Sequence, residues 1–173
     1  MAKQNTKSKK GFTIIEVVLV LAIAGLIFLM VFIALPALQR SQRDTQRRDD
    51  MSRFLSQLNQ YQANNSGRIP TVWKDFIENY LKVGGDSFQD PSTGEDYSVT
   101  TTANSKCDKS RCPEGDDKMG TNVDNLNSDT EKGVIYLYTN AKCQGENPVY
   151  VQGDRKIAIR IKLEGAGIYC GNN

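Results

Sequence analysis

From Phe12 to Leu38, 23 of 27 residues are hydrophobic. Within that segment Val17 to Leu38 carries no charge. At 1.5 Å per residue a helix of those 22 residues is about 33 Å long, enough to cross the hydrocarbon core of a bilayer. The chain behind it is much more polar. Residues 39–173 hold 42 hydrophobic residues in 135 positions, fewer than an ordinary globular domain. This segregation excludes a polytopic membrane protein and a plain cytosolic one, and it disfavours a large, conventionally packed enzyme. The polar part suffices for one domain, but its thin core needs staples or partners.

The apolar run is longer than the core of a secretory signal peptide, and no small-residue cleavage site precedes Gln39. A retained membrane helix is therefore expected. Lys3, Lys7, Lys9 and Lys10 lie before it, and Arg40, Arg43, Arg47, Arg48 and Arg53 follow it, so flanking charge alone does not orient it. Glu16 stands among aliphatic residues, where a carboxylate needs a partner or must snorkel to the interface. The whole chain carries +2. Without residues 1–11 it has 18 basic and 20 acidic side chains, so no broad basic excess marks a nucleic-acid binder. Histidine is absent, which removes the usual general base and the commonest metal ligand.

Lys9-Lys10-Gly11-Phe12-Thr13-Ile14-Ile15-Glu16 resembles the processing site of type IV prepilins. The resemblance implies cleavage on the cytoplasmic side between Gly11 and Phe12, N-methylation of Phe12, and a single-pass membrane precursor whose mature form is a surface filament. Glycine before the cut lets a peptidase grip the backbone without a side-chain clash. The resemblance also implies that Glu16 of an incoming subunit pairs with the Phe12 ammonium of a neighbour and so sets register. The expected domains are a leader over residues 1–11, a transmembrane and filament-core helix over 12–38, and an extracellular head over 39–173.

The helix is expected to continue to about Asn64, because Met51, Phe54, Leu55, Leu58 and Tyr61 form one apolar stripe before the stop signal Asn64-Asn65-Ser66-Gly67. Gly25 and Pro36 are its weak points. Type IV pilins carry a glycine and a proline bracketing a stretch that loses helicity in the filament, which implies local melting here between Gly25 and Pro36. A second helix is expected over Thr71 to Lys82, capped by Thr71, with Trp73, Phe76, Ile77, Tyr80 and Leu81 on one face. Asp90-Pro-x-x-Gly94-x-x-Tyr97 reads as a turn into a strand ending near Thr102, and is similar to a segment of many pilins. Residues 100–133 read as a long polar loop, in which Asp116, Asp117, Asp124 and Asp129 lack the spacing of an EF-hand.

Val134 to Thr139 reads as a strand. Ile157, Ile159, Ile161 and Leu163 alternate with Ala158, Arg160, Lys162 and Glu164, a half-buried strand with one wet face. Ile168-Tyr169-Cys170 is placed to pair back after a glycine turn. The fold class is thus α+β, a long N-terminal helix packed by a small antiparallel sheet head, which is the pilin fold the resemblance implies. Cys107, Cys112, Cys143 and Cys170 allow three disulfide pairings. Cys107–Cys112 as a local loop and Cys143–Cys170 as a fastener for the C-terminus are favoured, and zinc lacks paired C-x-x-C spacing.

No cofactor, metal or catalytic residue is expected. The resemblance implies a structural subunit of a type IV pilus, used for adhesion or twitching, with copies of itself, prepilin peptidase, the assembly platform and its ATPase as partners. The run from Arg160 to Cys170 looks like the C-terminus of some pilins of host-attached bacteria, which favours adhesion. A secretion-system pseudopilin, or a minor or competence pilin for DNA uptake, is the alternative, although the basic cluster Arg40 to Arg53 is interleaved with acids. A membrane-anchored enzyme would need a nucleophile elbow or metal constellation, which the sequence does not display.

Overall fold

The computed structural model describes residues 11–101, 106–108, 112, 132–153, 155–165 and 167–173. Most of the polar loop, with Asp116, Asp117, Asp124 and Asp129, lies outside the described residues. The chain divides into two compact units, Met1–Gln39 and Arg40–Asn173.

The first unit is the start of helix α1, Ile14–Asn64, which passes through Gly25 and Pro36 without a break in helical assignment. Pro36 has no N–H to give the carbonyl of Phe32, so one rung of the ladder is missing while the helix continues. The large apolar side chains here are all exposed, from 45% at Val31 and Leu35 to 90% at Phe12. α1 is the one helix among the described residues long and apolar enough to cross a membrane.

In the second unit the rest of α1 turns amphipathic and buries Met51, Phe54, Leu55 and Leu58. Its C-terminus is closed where the Gly67 N–H bonds the Gln62 carbonyl at 2.7 Å, with Gly67 at φ 80°. That left-handed φ favours glycine, and a side chain there would also have to displace the exposed Arg155 guanidinium.

The segment expected to be helical over Thr71–Lys82 is shorter and less regular. α2 spans Trp73–Phe76 and widens into a π-helical turn, Ile77–Leu81, with Lys82 N–H bonding the Ile77 carbonyl at 3.0 Å. Thr71 does not cap it. Val72 occupies the cap position, without a side-chain hydrogen bond. Phe76, Ile77 and Leu81 are buried, and Trp73 and Tyr80 pack at the margin of the core. Phe54 stands at the centre of the ring cluster, 5.5 Å from Phe76, 6.0 Å from Trp73 and 6.2 Å from Phe88.

Four strands form the main sheet in the order β1 (Ser98–Thr100), β2 (Val134–Thr139), β5 (Ile157–Lys162), β6 (Ile168–Asn172). The β2–β5 and β5–β6 pairs are antiparallel, but β1 runs parallel to β2, so the sheet is mixed where an antiparallel one was expected. The long connection over residues 101–133 is the reason: a tight hairpin forces antiparallel neighbours, whereas a crossover of this length frees the next strand to return in the same direction. β1 itself ends at Thr100, short of the expected Thr102.

A separate antiparallel hairpin joins β3 (Ala141–Gln144) to β4 (Asn147–Tyr150) through Gly145-Glu146. Gly145 has φ 60°, the left-handed geometry that two-residue hairpin loops require at that position. This hairpin overturns the expected wet face of β5. Ala158 and Arg160 are fully buried, and Arg160 Nε donates to the Glu146 carbonyl at 2.9 Å. Strand alternation therefore serves two cores. Ile135, Leu137, Ile157, Ile159 and Ile161 face α1 and the aromatic cluster. Tyr136, Tyr138 and Ala158 face the second core with Ala141 and the cysteines. Cys107 is bonded to Cys112, and Cys143 to Cys170. The second bridge ties the hairpin to β6.

Candidate functional site: the N-terminal processing and assembly segment

Gly11 and Phe12 precede α1 in exposed, non-helical backbone. Among the described residues nothing requires glycine at position 11. Its φ is not left-handed, and an added Cβ would meet nothing within 4 Å. The same holds for Gly25, around which no atom lies close enough to exclude a methyl group.

Helix α1 is started by a reciprocal cap. The Thr13 N–H donates to Glu16 Oε2 at 2.8 Å, the Thr13 hydroxyl donates to the same oxygen at 2.8 Å, and the Glu16 N–H reaches back to Thr13 Oγ1 at 3.4 Å. With Ile14 as the first helical residue, Thr13 is the N-cap and Glu16 the third helical position, the capping-box arrangement. Glu16 thus has an intramolecular partner that the sequence reading did not assign. The signal was present, since Thr-x-x-Glu ahead of an apolar run is the signature of such a cap. The carboxylate also lies at the positive end of the helix dipole. Thr13 uses one of its oxygens, so Oε1 remains able to accept a bond from a second cation.

Beyond the apolar run, the charged stretch of α1 resolves into a buried ion-pair network within the head unit. The Arg47 side chain is 1% exposed. Its Nε donates to Asp90 Oδ2 at 2.7 Å, and its Nη2 donates to Asp90 Oδ1 at 2.9 Å, to the Ser92 hydroxyl at 2.8 Å and to Glu164 Oε1 at 3.2 Å. Arg43 grips Glu164 with bonds of 2.9 and 2.6 Å to Oε2. Asp44 accepts the backbone N–H groups of Glu164 and Gly165 at 2.7 and 2.8 Å. Asp90 Oδ1 also accepts the Ser92 N–H, which shapes the Asp-Pro turn. One helix face thereby anchors both that turn and the β5–β6 turn.

The electrostatics follow from these contacts. Burial pushes the Asp90 carboxyl upward, but hydrogen bonds from Arg47 and Ser92 outweigh it and hold its pKa at about 2. The Arg43 hydrogen bond draws Glu164 below the usual carboxylate range. Asp50 goes the other way, raised by burial and only partly relieved by the Tyr97 hydroxyl, which donates to it at 3.2 Å. Among the described residues no group of three or more His, Cys, Asp or Glu side chains is placed to hold a metal ion.

Residues 6–32 match the model of the prokaryotic N-terminal methylation motif. No curated protein and no solved structure matches the chain. The matched motif covers Gly11, Phe12 and Glu16 and the exposed apolar part of α1 through Phe32. It implies processing by a prepilin peptidase and handling by an assembly machinery, fits a membrane-anchored precursor, and points to a structural subunit. That motif, heading a long apolar helix and followed by a small mixed sheet, supports a type IV pilin-like prepilin whose α+β architecture is consistent with the pilin fold.

Proposed function

We propose that the chain is a subunit of a type IV pilus, cleaved between Gly11 and Phe12, methylated on Phe12, and packed into a helical filament through residues 12–38. The methylation motif over residues 6–32 is the observation that carries this reading. The bare apolar surface of α1 supports it. Uncovered side chains from Phe12 to Leu38 need lipid before assembly and neighbouring helices after it. Cleavage creates an ammonium on Phe12, and Glu16 of an adjacent copy is the carboxylate that meets it, through the oxygen its own Thr13 leaves open. The activity is structural rather than enzymatic, and the head stands on the outer side of the membrane, where its cysteines are oxidised.

Co-expression with a prepilin peptidase tests the first step. Intact-mass and N-terminal spectra are expected to show a chain beginning at methyl-Phe12. Electron microscopy of sheared surface fibres tests the second. Fibres built mainly of this chain identify a major pilin. A chain that is cleaved but rare, or confined to the base or tip, is instead a minor pilin or a pseudopilin.

A further inference from the structure

A cavity of about 290 Å³ in the head unit is lined by Arg40, Arg47, Lys132, Lys162, Leu163 and Glu164. Four of these six side chains are cationic, and they arrive from α1, from the turn before β2 and from the end of β5. The one carboxylate among the described lining residues is already committed. Glu164 is held by Arg43 at 2.6 Å and touched by Arg47 at 3.2 Å, while Arg47 is itself chelated by Asp90. Arg40 and Lys132 are exposed and make no ion pair among the described residues. Arg40 and Lys132 therefore place two exposed cations at the cavity rim, beside a buried network in which Arg43 and Arg47 face Asp44, Asp90 and Glu164.

We propose that this cavity binds a phosphate group, supplied by the headgroup of an anionic phospholipid. The Arg40 guanidinium and the Lys132 ammonium, converging from separate elements, match the oxygens of a phosphate, which accept charge-assisted hydrogen bonds from both kinds of donor. The volume suits a headgroup better than a larger organic ligand. Arg40 stands two residues beyond Leu38, the last residue of the apolar run, where basic side chains meet the phosphate layer of a bilayer. The choice of lipid as the source rests on the membrane-precursor reading, whereas the cavity's chemistry does not. In the precursor such a contact would hold the head at the membrane surface until the subunit is extracted.

The test uses the full, uncleaved chain in maltoside micelles. Inorganic phosphate and dihexanoyl-phosphatidylglycerol are titrated separately and followed by calorimetry. Saturable binding of the lipid is expected, weakened at least about tenfold in the double variant R40Q/K132Q and unchanged in K142Q, an exposed lysine on β3. Both R40Q and K132Q alter exposed side chains, and an unchanged melting curve verifies the fold. Saturation by inorganic phosphate alone keeps the phosphate site and identifies the free anion as its source. No saturable binding of either probe, or equal binding by R40Q/K132Q, overturns the proposal. Because neither cleavage nor assembly enters the measurement, failure of the pilus reading and failure of this one are read separately.

Discussion

Thr13 and Glu16 start the helix through a single carboxylate oxygen, and the other oxygen is left open for the inter-subunit pairing proposed above. Glu16→Val is expected to be cleaved normally and to yield few fibres, measured by mass spectrometry and by the amount of sheared filament. Thr13→Val removes the hydroxyl from the cap, so faster amide exchange is expected over the first turn of α1 with cleavage retained. Arg47 is the opposite case, a charge whose partners are all internal. Arg47→Ala leaves Asp90 and Asp44 buried without their cation, at a cost of roughly 3–5 kcal/mol in a denaturant titration of the head's unfolding. The Thr13 cap was legible from four consecutive residues. The Arg47 partners were not, because Asp90 and Glu164 lie 43 and 117 positions away.

At the scale of elements, the long helix and strands β2, β5 and β6 could be read from periodicity, because each presents a local apolar pattern. The stripe from Met51 to Leu58 is on one helix face, and the isoleucines of β5 are on one strand face. What misled the reading of β5 was its other face. Arg160 looks like a solvent residue, yet the β3–β4 hairpin covers it, and its Nη1 finds no hydrogen-bond partner among the described residues. The hairpin itself had a readable signal in Gly145, the first residue of a two-residue loop. Cys143–Cys170, with a sequence separation of 27, pins that hairpin to the last strand. Replacing both cysteines with serine is expected to lower stability by about 3 kcal/mol on the loop-entropy scale, seen as a reduced denaturation midpoint. Pro36→Ala restores the missing helical hydrogen bond, so slower exchange around that turn is expected in the unassembled chain.

For the molecule as a whole, acid is the informative variable. Asp90 has its pKa depressed to about 2 in the folded head, and Glu164 is depressed as well. The folded state therefore binds fewer protons at these sites than the unfolded chain. Their stabilisation is complete above the ordinary carboxylate range and is lost as pH falls toward 2. Asp50, raised by burial, has the opposite sign and opposes stability once it ionises. The expected outcome is a denaturation midpoint that falls steadily from about pH 4 downward, with a shallower fall in Asp90→Asn, whose starting stability is lower.

The sequence by itself determined the division of labour: a basic start, a cleavage motif, a helix too apolar for water, and a polar head with four cysteines. Each of these depends on neighbours along the chain, where composition, spacing and helical period act directly. Only the tertiary structure decided that β1 pairs in parallel, that a hairpin closes the second face of the sheet, and that Arg47 gathers two distant turns onto one helix face. Those outcomes depend on which surfaces and charges meet across long loops. A buried guanidinium donates to whichever carboxylates the packing brings within hydrogen-bond reach, and nothing in its local sequence names them.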